Sequence, residues 1–209
     1  MVRRRAISDT SNYWRDFHPI TRQWFQSTFS EATQAQQEGW PAIQAGQHCL
    51  IAAPTGSGKT LAAFLAGIDQ LIHQRIGAVA ALDSPLPDKT QILYISPLKA
   101  LSADVEHNLR RPLEELCALV SAEYGCKLGI TTAVRSGDTS AYQRQKQLRK
   151  PPHIFVTTPE SFYLLLSQER GRQCLSQVRC VIIDEIHALI ENKRGSHLSL
   201  SLERLSALV

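Results

Sequence analysis

Eight consecutive residues, Ala53 to Thr60, have the composition of a phosphate grip, with Pro54 and Thr55 leading into Gly56, Ser57, Gly58, Lys59 and Thr60. Gly56 and Gly58 let the backbone turn so that successive N–H groups aim at one point. A helix starting after them adds the positive end of its dipole. Lys59 has the reach to meet the β- and γ-phosphates of a nucleotide, and the Thr60 hydroxyl suits a magnesium ligand. Ser57 lies within the turn and reads as structural. An apolar run, Cys49 to Ala52, precedes the octapeptide, and a helical pattern, Leu61 to Ala66, follows it. Strand, Gly-rich turn and helix form the setting that such a loop needs. The strict pattern opens on glycine; here that position is Ala53, which is still small.

A second apolar run, Cys180 to Ile183, ends in Asp184, Glu185, Ile186 and His187. Far apart in sequence, Lys59 and Asp184 both follow strand-like runs. In an open parallel sheet, ligands gather at the carboxyl ends of strands, so one edge is expected to carry both. Asp184 suits magnesium, held through water, and Glu185 suits orienting or deprotonating an attacking water. Phosphoryl transfer asks for little beyond position and charge neutralisation. An isolated Asp-Glu after a strand also reads as a helix cap with a first-turn acid. The phosphate loop upstream favours the chemical reading. His187 by itself reads as structural.

These residues need elements to position them. Strand-like runs fall at 48–52, 91–95, 128–133, 153–157 and 179–183, and helical patterns near 33–45, 59–76, 99–122, 139–148, 159–168 and 196–208. Alternation of this kind predicts an α/β fold with a mostly parallel sheet and helices on both faces. Residues 1–20 form a basic lead with Arg3, Arg4 and Arg5, read as a solvated tail, and 21–209 form one domain with no linker. An aromatic helix carries Trp14, Phe17, Trp24, Phe25 and Phe29, and Gly77 to Lys89 reads as a surface loop.

Composition narrows the class further. A net charge of +4 is compatible with nucleic acid without requiring it. The five cysteines, Cys49, Cys117, Cys126, Cys174 and Cys180, are odd in number and lack paired spacing, so neither zinc nor a disulfide framework is expected. Cys49 and Cys180 read as small core residues. A reducing cytoplasm is the expected compartment. No run approaches the roughly 20 apolar residues of a membrane span, and no membrane partner is expected.

The phosphate loop together with the Asp-Glu-x-His turn resembles the first RecA-like domain of a superfamily 2 DExH-box helicase. Four further segments agree in order. Gln36 resembles the family's adenine-reading glutamine. Ser96 to Leu101 resembles the loop called motif Ia. Arg135 to Thr139 resembles the segment after the next strand, and Thr157 to Ser161 resembles motif Ib. The wording of these segments, with Lys193 to Leu198, is similar to the large helicase-related (Lhr) family.

The resemblance covers roughly residues 20–209 and implies an ATP hydrolase that binds ATP and Mg2+. Lys59, Asp184 and Glu185 are then the catalytic set. Gln36, Thr55, Gly56, Ser57, Gly58, Lys59 and Thr60 hold the nucleotide, and Thr60 and Asp184 hold the metal. An aromatic among Trp24, Phe25 and Phe29 packs on the base or serves the core. Ser96, Lys99, Arg135, Thr139, Thr158 and Ser161 follow strands. There they grip the phosphates of a single strand without reading sequence, or act as caps and solvated charges. The basic stretch Arg144 to Lys150 extends that track or forms a solvated helix face.

The family has two RecA-like domains with arginine fingers on the second. No second domain is legible here, and the sequence ends before the Ser-Ala-Thr segment expected on the next strand. The resemblance therefore implies a domain truncated at the C-terminus, with a sticky final helix. An arginine finger contributes about 10³–10⁵ in rate in related systems, so little or no turnover and no unwinding are expected of this chain alone. The missing half then comes in cis or from a partner in trans. Three readings follow: the ATP-binding motor half of a 3′-to-5′ helicase of DNA repair, with DNA favoured over RNA; a catalytically silent nucleic-acid-binding or regulatory fragment; and a translocase subunit without strand separation.

Overall fold

The computed structural model describes residues 12–77, 86–97, 105–190 and 192–209. The chain divides into two compact units, one of residues 1–83 and 104–128, the other of residues 84–103 and 129–209.

The first unit is helical. A 3₁₀ turn, Asn12–Trp14, leads into α1 (Pro19–Thr28), α2 (Gln34–Gln44), α3 (Lys59–Ile76) and, after a π-helical turn at Glu106–Arg110, α4 (Arg111–Tyr124). Its core is aromatic. Trp14, Phe17, Phe25 and Trp40 interlock at ring separations of 4.7 to 5.4 Å. The fully buried Trp40 indole donates to the Ala62 carbonyl at 3.0 Å, so a ring from α2 is anchored on the first turns of α3. Trp24 donates to Glu115 at 2.7 Å and fastens α1 to α4. The structured core thus begins inside the basic lead, at Trp14 and Phe17. Arg3, Arg4 and Arg5 lie outside the described residues.

The second unit holds a parallel sheet, β1 (Ile92–Ile95), β2 (Thr132–Arg135), β3 (Ile154–Thr157) and β4 (Cys180–Ile183), in the order β2-β3-β1-β4. The registers align Tyr94 with Val156 and Ile182, and Ile95 with Thr157 and Ile183. Helices α5 (Ala141–Arg149), α6 (Pro159–Leu166), α7 (Glu169–Leu175), α8 (His187–Ile190) and α9 (Lys193–Ser206) follow the strands. Alternate strand residues Leu93, Ile95 and Phe155 pack with Phe162, Leu165, Leu175, Leu189 and Leu198 into one core. Ile92, Tyr94, Ile154 and Val156 point the other way and are also buried.

Two expectations fail at the strand level. Residues 48–52 join no ladder, and the run is open to solvent, with Leu50 78% exposed and Cys49 exposed rather than in the core. An apolar run becomes a strand only where a neighbour pairs with it, and among the described residues none pairs with this run. The strand expected at 128–133 forms at Thr132–Arg135, where β3 supplies the pairing. Cys180 sits half-buried on the edge strand β4. The front of the helix expected at 99–122 lies partly outside the described residues. Its remainder breaks at the π turn before Pro112, whose ring supplies no N–H to a preceding turn.

Close backbone packing fixes the end of the second unit. A Cβ on Gly195 would lie 2.1 Å from the Leu189 carbonyl oxygen, so α9 rests directly on α8. Gly195→Ala is expected to lower stability by about 1–3 kcal/mol, read as a lower midpoint in thermal unfolding. An unchanged midpoint would contradict this packing.

Candidate nucleotide and nucleic-acid site

The phosphate loop is built inside the first unit by two helix starts. Gly56 and Gly58 adopt φ of 80° and 77°, left-handed values that glycine reaches without strain. Gly58 is the N-cap of the 18-residue α3, so the loop ends on a helix N-terminus. Lys59 Nζ donates to the carbonyls of Ala53 and Pro54 at 2.5 and 2.8 Å, which holds the ammonium at the loop. The Ser57 hydroxyl is buried and has no partner among the described residues. Thr55 and Gly56 are exposed and Thr60 half-buried. A cradle of left-handed glycines, an ammonium and an unpartnered buried hydroxyl at a helix start fits a polyphosphate.

Gln36 belongs to this assembly. Thr33 caps α2 in a reciprocal box: the Thr33 hydroxyl accepts from the Gln36 N–H, and the Gln36 carbonyl oxygen accepts from the Thr33 N–H at 2.9 Å. The Gln36 amide nitrogen donates to the Gly58 carbonyl at 3.4 Å, and a Cβ on Gly58 would meet it at 2.6 Å. The Thr33 hydroxyl donates to the Ser57 carbonyl at 2.7 Å. The start of α2 therefore braces the turn that precedes α3. Sequence reasoning singled out Gln36 and missed Thr33, although a Thr-x-x-Gln box before a helical pattern was the available signal. Thr33→Ala removes both the cap and the brace. It is expected to cost about 1 kcal/mol of stability and to weaken nucleotide binding, measured by thermal unfolding with and without ATP. Equal ATP-induced shifts in variant and wild type would rule out a role in the loop. Of the three candidate stacking rings, Trp24 and Phe25 are each 2% exposed, whereas Phe29 is 39% exposed and rests on Phe25 at 4.7 Å.

The acidic turn is built in the second unit. Asp184 follows β4, and its carboxylate is doubly held: Oδ1 accepts from the Glu185 N–H at 2.9 Å, and Oδ2 accepts from the Tyr94 hydroxyl at 2.5 Å. Tyr94, from the neighbouring strand, was not legible as a site residue. Glu185 has φ of 50°, and no other non-glycine among the described residues has a positive φ. His187 Nε2 lies 3.1 Å from Glu185 Oε2, so the histidine orients the glutamate. Among the described residues no group of three or more acids, histidines or cysteines gathers as a metal cage. Magnesium needs none, because it is commonly held by one or two carboxylates with water and phosphate oxygens. Asp184 and the Thr60 hydroxyl are of the right type.

The remaining candidates follow strands of the second unit. Ser96 and Ser161 are buried, and the Ser161 N–H donates to the Thr158 hydroxyl oxygen, the N-cap of α6. Thr139 accepts from the Ser136 N–H at 2.9 Å within the turn after β2. Arg135 is 3% exposed. Burial first, and then the nearby charge of Arg144, push its pKa down, with Cys174 opposing. Arg135 Nη1 and Arg144 Nε are buried donors without a partner among the described residues, while Arg144 Nη2 donates to the carbonyls of Ser136 and Gly137. Lys99 lies outside the described residues.

A Gly-rich turn on a helix start, with an acid pair after a parallel strand, defines an α/β domain of the P-loop nucleotide-binding class. The family model for DEAD/DEAH box helicases matches residues 33–208, and the chain belongs to that family. It is 49% identical over 192 residues to the ATP-dependent helicase Lhr-Core of Methanothermobacter thermautotrophicus, covering 92% of this chain and 22% of that protein. It is 45% identical to the Lhr helicase/uracil glycosylase of Escherichia coli, covering 92% of this chain and 12% of that protein. Among solved structures, Mycobacterium smegmatis helicase Lhr bound to ssDNA and AMP-PNP superposes with a TM-score of 0.81 at 46% identity, over 94% of this chain and 24% of that one. Helicase MrfA bound to DNA and AMPPNP shares the fold at 21% identity, with a TM-score of 0.71 over 98% of this chain and 25% of that one. The chain thus spans about a fifth of the first-named relative's length. No described helix is long and apolar enough to cross a membrane.

Proposed function

We propose that this chain is the ATP-binding motor domain of an Lhr-like helicase or translocase that moves along single-stranded nucleic acid. The observation that carries the reading is the braced phosphate loop, in which left-handed Gly56 and Gly58, the ammonium of Lys59 and the buried Ser57 hydroxyl meet at the start of α3. Lys59 neutralises the β- and γ-phosphates, and the loop N–H groups position them. Thr60 and Asp184 offer the oxygen donors that would hold magnesium, which would supply positive charge to the phosphates. Glu185, aimed by His187, orients the attacking water and takes its proton. Gln36 favours adenine, and Phe29, the exposed ring of its cluster, stacks on the base.

The turns after β1, β2 and β3 take the strand. The unpartnered donors of Arg135 and Arg144 and the hydroxyls of Thr139 and Thr158 suit phosphate oxygens, with Ser96, Ser161 and Lys99 supporting them. DNA is favoured because the similar Lhr structure carries ssDNA. Strand separation is assigned to the longer polypeptide that the relatives represent, with the second RecA-like domain supplied in cis or in trans. A silent nucleic-acid-binding role is disfavoured by the intact set Lys59, Thr60, Asp184 and Glu185. The test is ATP binding and hydrolysis by this chain with and without single-stranded DNA or RNA. ATP binding that requires Lys59 is the expected result. A chain that binds a single strand but no nucleotide would establish the silent reading instead.

A further inference from the structure

Two of the strand-following turns of the second unit, those after β1 and β3, are joined by one side chain that belongs to neither the phosphate loop nor the acidic turn. Arg194 is the second residue of α9. Its backbone N–H is held by the Asn192 cap at 2.9 Å, and its place is fixed by the contact of Gly195 with the Leu189 carbonyl. From there the guanidinium forks. Nε donates to Glu160 Oε1 at 2.6 Å, and Nη2 donates to the Pro97 carbonyl at 3.3 Å. Pro97 is in the turn after β1, next to Ser96. Glu160 is in the first turn of α6, next to the Thr158 cap. Burial works to raise the Glu160 pKa, and the Arg194 bond, the Glu160 backbone, the Arg194 charge and Thr158 overrule it, so the carboxyl sits below its usual range.

We propose that Arg194 is a positioning residue for strand binding, setting the turns after β1 and β3 relative to each other and to the segment that leaves the acidic turn. The inference rests on the strand-binding reading of those turns. An ion pair with side chains 44% and 55% exposed adds little stability, so the pair is better explained by the geometry it fixes. The chemistry calls for arginine, because a planar fork serves a carboxylate and a carbonyl at once. A lysine ammonium keeps the charge and loses the fork. Asn192 and Gly195 add to the case, since a cap and a close approach hold the backbone on both sides of the fork.

The rival role for Arg194 is direct contact with a strand phosphate, and the two roles predict opposite behaviour at Glu160. If Arg194 positions, Glu160→Gln weakens strand binding. If Arg194 itself grips phosphate, Glu160→Gln releases it and removes a nearby negative charge, so binding tightens. The experiment is fluorescence-anisotropy titration of this chain with labelled oligothymidylate and oligouridylate over a range of salt, for wild type, Arg194→Ala, Arg194→Lys, Glu160→Gln and the double variant Arg194→Ala/Glu160→Gln. Thermal unfolding of each variant accompanies it.

Expected are a loss of about tenfold in affinity for Arg194→Ala, a loss in the same direction for Glu160→Gln, and a double variant no worse than Arg194→Ala. Arg194→Lys recovers only part, and the salt slope stays at the wild-type value. Tightening in Glu160→Gln, with a slope smaller by about 0.7 in Arg194→Ala, would overturn positioning in favour of phosphate contact. Wild-type affinity in Arg194→Ala would overturn it outright. A wild-type chain that binds neither strand would overturn the strand-binding reading itself, and this one with it. If Arg194→Ala does not fold, the direction of change in Glu160→Gln and the incomplete recovery in Arg194→Lys still decide.

Discussion

Glu185→Gln leaves ATP binding at the wild-type level and lowers hydrolysis by about 10²–10⁴-fold, the range for losing a general base. The amide is isosteric with the carboxylate, so packing is kept while the acceptor of the water proton is removed. The local geometry marks this residue out. Glu185 holds φ at 50°, a conformation costing an L-residue roughly 1–2 kcal/mol. Its own backbone repays part of that, with the N–H on Asp184 Oδ1 at 2.9 Å and the carbonyl accepting from Ala188 at 2.9 Å. Strain retained at a polar turn is common where a side chain must be aimed. Here the aimed side chain is 35% exposed, open to water, and steered by His187. The assay is single-turnover hydrolysis with the chain in excess over labelled ATP, which registers slow turnover. Equal rates for wild type and Glu185→Gln would remove Glu185 from the chemistry, whatever the nucleotide affinity.

The legible parts of this molecule were those coded locally. The turn chemistry of Gly56 to Thr60 and the periodicity after it place α3 at Lys59–Ile76, matching the helix expected at 59–76. The run before Asp184 became β4 at Cys180–Ile183, within the strand expected at 179–183. What escaped is non-local. Tyr94 and Asp184 are 90 residues apart, and only the pairing of β1 with β4 brings the phenol to the carboxylate. Arg194 and Glu160 are 34 residues apart, and nothing in either segment announces the other. The run at 48–52 fails for the same reason in reverse. Like β1 it holds adjacent leucine and isoleucine, but ladder formation depends on a partner that composition does not specify. Similarly, nothing in spacing distinguishes Phe29 from Phe25. Phe25 is buried in the ring cluster, whereas Phe29, the C-cap of α1, keeps one side open.

Lys59→Ala abolishes useful ATP binding in this chain, with an expected loss of about 3 kcal/mol, or roughly a hundredfold, for removing a charge that pairs with phosphate in a partly buried site. Fold stability argues that the lysine is kept for ligand rather than for structure. It occupies the first position of α3, where the helix dipole presents its positive end and a cation costs about 0.3–1 kcal/mol. Its two bonds to the Ala53 and Pro54 carbonyls offset part of that, but Pro54 is exposed, so water is an alternative partner for its carbonyl. Alanine also has the higher helix propensity. The variant should therefore unfold at the wild-type temperature or slightly above it, while ATP no longer raises the midpoint. Strand affinity without nucleotide should be unchanged, since the substitution alters no residue of the turns proposed to take the strand. Thermal unfolding with and without Mg-ATP, alongside calorimetric titration, reads both quantities on the same samples. A variant that loses stability and keeps its ATP-induced shift would reverse the assignment and make Lys59 a structural clamp of the loop.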